Sequence, residues 1–159
     1  HGAGSSMGET IRIALTTVAE IIGLRHRILR AGLPLETACL HGDQDESTRH
    51  LGLWGGETLL GCVSLMVAPC DGLPAMQLRG MAIAREAQGR QYGRLLLHEA
   101  EQLVAQVGFS LIWCNARETA RGFYARHGWQ VTSAPYFIEH AGMHVRMQKS
   151  LAAANSGGA

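Results

Sequence analysis

The run Met76-Gln-Leu-Arg-Gly-Met-Ala-Ile-Ala84, the turn Gln88-Gly-Arg-Gln-Tyr-Gly-Arg94 and the apolar stripe Leu96, Ala100, Leu103, Val104, Val107 decide the fold. The first part reads as a strand. The stripe recurs at helical spacing and stops at Gly108, so it marks one face of an amphipathic helix. Between them lies a tight turn with glycine at 89 and 93. A turn that opens a helix presents unpaired backbone N–H groups, and the helix dipole adds partial positive charge there. Such a turn suits a pyrophosphate, and glycine lets the backbone approach it. A strand, turn and helix with two glycines is more often plain connection chemistry. No G-K-[ST] follows, which excludes a triphosphate loop, and the G-x-G-x-x-G spacing is absent.

Outward from this unit the patterns alternate. Residues 9–15 read as a strand. Val18, Ile21, Ile22, Ile28 and Leu29 recur at helical spacing behind a cap at Thr16 or Thr17, and Gly32 and Pro34 end the helix. Residues 49–54 and 57–67 flank Gly55-Gly56, a hairpin signal. Leu111–Cys114 is an apolar run of the kind covered on both faces. Residues 118–127 read as a short helix closed by Gly128, and two strands follow over about 129–138 and 143–149. The order βα, ββ, βα, βα, ββ predicts a single α/β domain over residues 9–151, with a mixed sheet flanked by helices.

At 159 residues the chain has one domain's length. Its net charge of +1 gives no global basic surface for nucleic acid. Cys39, Cys62, Cys70 and Cys114 form no C-x-x-C pair and lack zinc spacing, so they read as free, mostly buried thiols of a cytoplasmic protein without a metal. No apolar run approaches the ~20 residues of a membrane helix. His1–Ser6 resemble a tag remnant, and residues 152–159 a frayed tail.

With these landmarks in order, the chain resembles the GNAT N-acetyltransferase superfamily. Gln88-x-x-Gln91-x-Gly93 is similar to its (Arg/Gln)-x-x-Gly-x-(Gly/Ala) signature, with Gln91 in place of the usual glycine. Phe123-Tyr124 before Gly128-Trp129 resembles its late aromatic signature. Within the superfamily the segments Arg25–Arg30, Pro34–Glu36, Gln77–Ala82, Trp113–Arg117 and His144-x-x-Met147 are most similar to glyphosate N-acetyltransferases and their bacterial relatives. The resemblance implies a mostly antiparallel GNAT sheet and an acetyl-CoA co-substrate. It places cofactor contacts at Met81, Ala82 and Ile83 through their backbone, along Gln88, Gly89, Arg90, Gln91, Tyr92, Gly93 and Arg94, and at Asn115 and Phe123. It also implies a monomer or homodimer.

Arg79 interrupts an apolar strand, where a lone guanidinium is costly unless an anion or a structural salt bridge meets it. Arg30 ends the first helix, where a cation suits the dipole. Arg117 is expected to open the helix over 118–127, a poor place for a cation without a local anion. The resemblance implies that the three converge on anionic groups of a small amine substrate. Arginine suits that role through its bidentate fork. No Asp or Glu lies between Met76 and Ala84 to act as the base. Alternation puts His144 and Arg146 opposite Met143, Val145 and Met147, consistent with a solvated histidine. The resemblance makes His144 the general base, in the pH range where imidazole titrates. It makes Tyr124 a candidate acid for the departing thiolate, where a core tyrosine is the plain alternative. Cys114 in its apolar run is a poor acyl carrier. A protein or peptide acetyltransferase, and a coenzyme A-binding module without turnover, are the competing readings.

Overall fold

In the computed structural model, which describes residues 10–152, the chain forms one eight-stranded sheet packed with helices. The termini read above as tag and tail lie outside these residues, apart from Ala152. Strand β1 (Ile11–Thr16) turns its isoleucines toward the core. Helix α1 (Val18–Leu29) follows, and of the two candidate caps it is Thr17 whose hydroxyl accepts from the Glu20 N–H. β2 (Arg49–Gly55) and β3 (Thr58–Val67) form the expected hairpin. Its two-residue turn is Gly56-Glu57 rather than Gly55-Gly56, because Gly55 still pairs with Thr58 while Gly56 takes the positive φ of 61°. β4 (Met76–Ile83), α2 (Tyr92–Val107) and β5 (Leu111–Arg117) complete the unit that the sequence predicts as strand, turn, helix and strand.

The last quarter departs from expectation. Residues 118–127 divide into a 3₁₀ turn (Glu118–Ala120) and a short α3 (Arg121–Arg126). Arg117 is both the last residue of β5 and the cap of that 3₁₀ turn, so it opens the turn rather than an α-helix. The strand expected over 129–138 is two, β6 (Gln130–Val131) and β7 (Tyr136–Ile138), both paired with β8 (Gly142–Ser150). Part of the reason is local and part lies on β8. Pro135 has no N–H to donate, and Ser133 Oγ takes the Arg146 N–H at 2.8 Å in place of a ladder carbonyl.

The sheet order is β1-β2-β3-β4-β5-β8-β6, with β7 beside β8. Every pairing is antiparallel except β4 with β5. α1 and α2 cover opposite faces. Ser64 reaches Arg25 of α1, whereas a Cβ on Gly61 would strike Leu96 of α2 at 2.8 Å. Three residues apart on one strand, these positions face opposite ways. The core between the layers is built from Leu53, Val63, Leu65, Met76, Leu96, Leu97 and Ile112, all nearly or fully buried. Each contributes about 1.5–3 kcal/mol from burial.

Two irregularities in β4 position the site. First, β4 and β5 pair only at Met76↔Ile112 and Gln77↔Trp113, and then part. Second, the register of β3 on β4 slips so that Val63 alone opposes Gly80 and Met81, a β-bulge. Gly80 takes φ 63°, and a Cβ there would lie 2.7 Å from Arg25 Nε. Arg25 cannot yield. It is 1% exposed, and its guanidinium is held by Ala38 O, both Asp43 oxygens and Ser64 Oγ. Gly80→Ala is therefore expected to cost about 2–3 kcal/mol, from left-handed strain plus overpacking. Urea unfolding measures it, and a variant as stable as the parent would contradict the braced bulge.

Candidate active site

Where β4 and β5 part, a cleft of about 820 Å³ opens in the sheet. Its walls include Met81, Ala82 and Ile83 from β4 and Cys114 to Arg117 from β5. Arg30, Arg79, Tyr124, Phe123, Gln88 and His144 complete it. Residues far apart in sequence thus meet at one cavity. A second cavity of about 740 Å³ shares Met81, Ile83, Gln88, Phe123 and Tyr124 with the first, and continues along Gly89, Gln91, Tyr92, Gly93 and Arg94. Of the predicted turn residues only Arg90 lines neither cavity.

The turn has the shape that an anion site needs. Gly89 has φ 84° and Gln91 has φ 71°, so Gln91 adopts the left-handed conformation usually left to glycine. Its Oε1 accepts from Arg94 Nε at 3.1 Å. The first turn of α2 carries no acidic residue, and its cap makes no side-chain hydrogen bond. Its N–H groups are left for a ligand or water. Gln88 Nε2 donates to Ile83 O at 3.0 Å, which ties the turn to the end of β4. Tyr92 is buried in the core, so its part in the turn is played by its backbone. Phe123 packs edge-on against Tyr124 and His127, and its ring sits 3.5 Å from where a Gly93 Cβ would be.

The three arginines share an electrostatic situation. None pairs with a carboxylate among the described residues. Arg30 Nη1 and Arg117 Nη2 both donate to Leu29 O, the final carbonyl of α1, at 3.2 and 2.8 Å. The negative end of a helix dipole accounts for that gathering. Arg30 also reaches Thr37 O, and Arg79 reaches His41 O and Met66 Sδ. Burial lowers the pKa of all three. Arg117 and Arg25 press further on Arg30, and Arg25 presses on Arg79 against the opposing pull of Asp43. Arginine stays charged regardless. The cleft therefore holds positive charge in excess of its local carboxylates.

His144 sits on β8 opposite Arg117 of β5, 4% exposed. Its Nδ1 lies 2.7 Å from Gly142 O. A carbonyl only accepts, so Nδ1 carries the proton and Nε2 keeps a free lone pair in the neutral ring. Burial lowers the pKa of His144, and Arg117 and Arg30 lower it further, against the Gly142 hydrogen bond that raises it. Tyr124 is 6% exposed, and burial with the neighbouring Cys114 raises its pKa well above the ordinary phenol value. It keeps its proton near neutral pH. Burial pushes the Cys114 thiol up to about 12, so it is not a nucleophile at neutral pH. Asn115 meets the phenol of Tyr136, whose hydroxyl donates to Asn115 Oδ1.

The sequence reading does not single out the buried cluster of Arg25, Asp43, Ser64 and His50. A signal was present: Arg25 falls four residues after Ile21 and three before Ile28, on the apolar stripe of α1. Neither Asp43 nor Tyr136 carries a comparable mark, because their partners lie on other elements.

Comparison with known proteins agrees with this geometry. A model described as the Acetyltransferase (GNAT) family matches residues 20–129. YitI of Bacillus subtilis (strain 168), named an uncharacterized N-acetyltransferase, is 32% identical over 144 residues, covering 89% of this chain and 97% of that protein. The fold is shared with FeeM, an N-acyl amino acid synthase from uncultured soil microbes, at TM-score 0.74 and 12% identity over 92% of this chain and 93% of that one. It is also shared with the ribosomal-protein-S18-alanine N-acetyltransferase of Escherichia coli, at TM-score 0.72 and 15% identity over 90% and 95%. The chain belongs to the GNAT family of N-acetyltransferases, which use acetyl-CoA as co-substrate.

Proposed function

We propose that this acetyltransferase acts on the amine of a small anion, of the amino acid or aminophosphonate type, by direct attack in a ternary complex. The observation that carries the reading is the set of three guanidiniums, Arg30, Arg79 and Arg117, lining one cavity without a carboxylate partner among the described residues. An anion would satisfy them bidentately and relieve the repulsion between Arg30 and Arg117. The likeness of Arg25–Arg30, Gln77–Ala82 and Trp113–Arg117 to glyphosate N-acetyltransferases supports the same substrate type.

The residues present fit acetyl-CoA. The uncapped start of α2 and the positive φ at Gly89 and Gln91 suit a pyrophosphate, and the unpaired edges of β4 and β5 suit an extended polar arm. Acetyl-CoA supplies an acyl group already activated as a thioester. The chain does the rest. Arg30, Arg79 and Arg117 orient the acceptor by its anionic groups. His144 Nε2 takes the proton from the ammonium, so that a free amine attacks. A backbone N–H of β4 beside Met81 polarises the carbonyl. Tyr124 holds a proton for the departing thiolate. Burial favours the neutral form of His144 in the free protein, and Arg117 and Arg30 add to it. An anion bound to them cancels that effect and raises the proton affinity of His144 at the moment it must act.

Arg79→Ala is expected to raise KM for the anionic acceptor at least tenfold, about 1.4 kcal/mol, and KM for acetyl-CoA less than about twofold. Initial rates with both substrates varied test this, and equal effects on the two would remove the anion clamp.

His144→Ala is expected to lower kcat by about 10²–10⁴. In the parent protein His144 loses its proton below the ordinary imidazole range. The acid limb of kcat/KM, which reports the free enzyme, is therefore expected below about pH 6.5. The limb of kcat is expected at higher pH, because the bound anion offsets Arg30 and Arg117. Coincident limbs would show that no anion binds beside His144.

Gln91→Gly probes the turn. Because Gln91 already holds φ 71°, glycine should change KM for acetyl-CoA by no more than about twofold, under 0.5 kcal/mol. A tenfold drop would mean that the glutamine side chain obstructs the phosphates.

A further inference from the structure

The sheet register aligns three side chains in one row across three strands. Arg117 of β5 is opposite His144 of β8, and His144 is opposite Tyr136 of β7. Directly opposed residues point to the same face with their Cβ atoms about 4.5–5.5 Å apart. On one side of the imidazole stands a guanidinium of the cavity. On the other lies the Tyr136 ring, with centroids 6.3 Å apart and planes inclined by 28°. That separation and tilt fall in the range of favourable aromatic contacts. The phenol is itself anchored, since its hydroxyl donates to Asn115 Oδ1 on β5. Tyr136 thus bridges β7 to β5 across the edge of β8 that carries His144.

The hydrogen bond to Gly142 O fixes which nitrogen of His144 holds the proton, but a single bond at one ring atom leaves the ring free to tilt about it. A second contact is needed to fix the plane. The cavity is lined by His144 and Asn115, the ring partner and the hydrogen-bond partner of Tyr136, and not by Tyr136 itself. Substrate therefore meets the imidazole and the amide rather than the phenol.

We infer that Tyr136 is a positioning residue for His144: its ring, tethered through Asn115, holds the plane of the imidazole and covers the side of it turned away from Arg117. This rests on the reading of His144 as the base. The charged and titratable groups facing His144 are Arg117 from β5, Arg30 from the end of α1 and Tyr136 from β7. The arginines act through charge. Tyr136, neutral near pH 7, acts through contact and exclusion of water. Sequence alone gave Tyr136 no role, because the partner that defines it lies eight residues on, across the Glu139–Ala141 turn.

The test separates the contact from the catalysis. In protein labelled with ¹⁵N-histidine, the His144 ring signals are assigned by their loss in His144→Gln and titrated by NMR without substrate. Tyr136→Ala is expected to raise the His144 midpoint by about half a unit, because removing the ring lets water reach the cationic form. It is expected to lower kcat about tenfold with KM for acetyl-CoA unchanged, a loss typical of a misaligned rather than a missing group. Tyr136→Phe keeps the ring and is expected to restore the parent midpoint and most of kcat. Tyr136→Leu keeps apolar bulk on β7, is expected to lose kcat as the alanine variant does, and serves if the alanine variant is unstable. A parental midpoint and parental kcat in Tyr136→Ala would overturn the proposal, as would a leucine variant at the parental rate. If instead His144→Gln turns over at the parental rate, the reading of His144 as base falls, whatever the Tyr136 variants do.

Discussion

The parting of β4 from β5 is the constraint on which the site depends. Two strands that pair at Met76↔Ile112 and Gln77↔Trp113 and then separate leave backbone groups unsatisfied within a sheet. Such an opening persists only if something holds it. The bulge at Gly80 turns β4, and Arg25 fills the space that a side chain at Gly80 would need. Asp43, Ser64 and Ala38 O in turn hold Arg25. Arg25 Nε alone has no partner in this cluster, a cost of about 1–3 kcal/mol that the rest of the cluster offsets. A buried ion pair is thus engaged in shaping β4, beside a cleft that needs β4 bent.

The same cluster reaches the cleft. With a neutral imidazole its hydrogen bonds admit one arrangement of protons. His50 Nε2 faces Asp43 O at 3.1 Å and must donate, so Nδ1 accepts from Ser64 Oγ at 2.6 Å, and Ser64 Oγ accepts from Arg25. This ties the segment around Asp43 to β2 and β3. Two residues before Asp43, the His41 carbonyl receives Arg79. Arg79 therefore extends from a bulged strand toward a loop held by buried charge. The guanidinium of Arg79 is thus held in place by the chain itself, and in the function we propose that ordering reduces the entropy that binding must overcome.

Charge is distributed in the cleft by position rather than by number. The whole chain carries a net charge of +1, yet Arg30, Arg79 and Arg117 converge where no carboxylate pairs with them among the described residues. Two of them meet at the final carbonyl of α1, so a helix end that would ordinarily satisfy one cation holds two. Their repulsion is stored where an anion can relieve it. His144 lies within that field, which adds to burial in lowering its proton affinity.

Much of this was legible in the chain. Periodicity gave α1, α2, the hairpin and the core strands, because a face that must be buried leaves its period in the sequence. The turn over 88–94 and the arginine in an apolar strand were local oddities, visible without a fold. The sequence missed what depends on register and on partners from other elements. It could not divide residues 129–138, since Ser133 replaces a ladder bond only because Arg146 lies opposite. It placed Arg117 at a helix start, which holds for the 3₁₀ turn, but could not show that β5 runs through Arg117 and aligns it with His144. It passed over Arg25 and Tyr136, an arginine on an apolar stripe and an aromatic near a turn. What each does is set by Gly80, Asp43, Asn115 and His144, residues brought within reach only when the sheet closes. Local pattern determined the elements and the ends of the chain's helices. Tertiary structure alone decided the site, because a cavity between parted strands is a relation among distant segments that no single segment records.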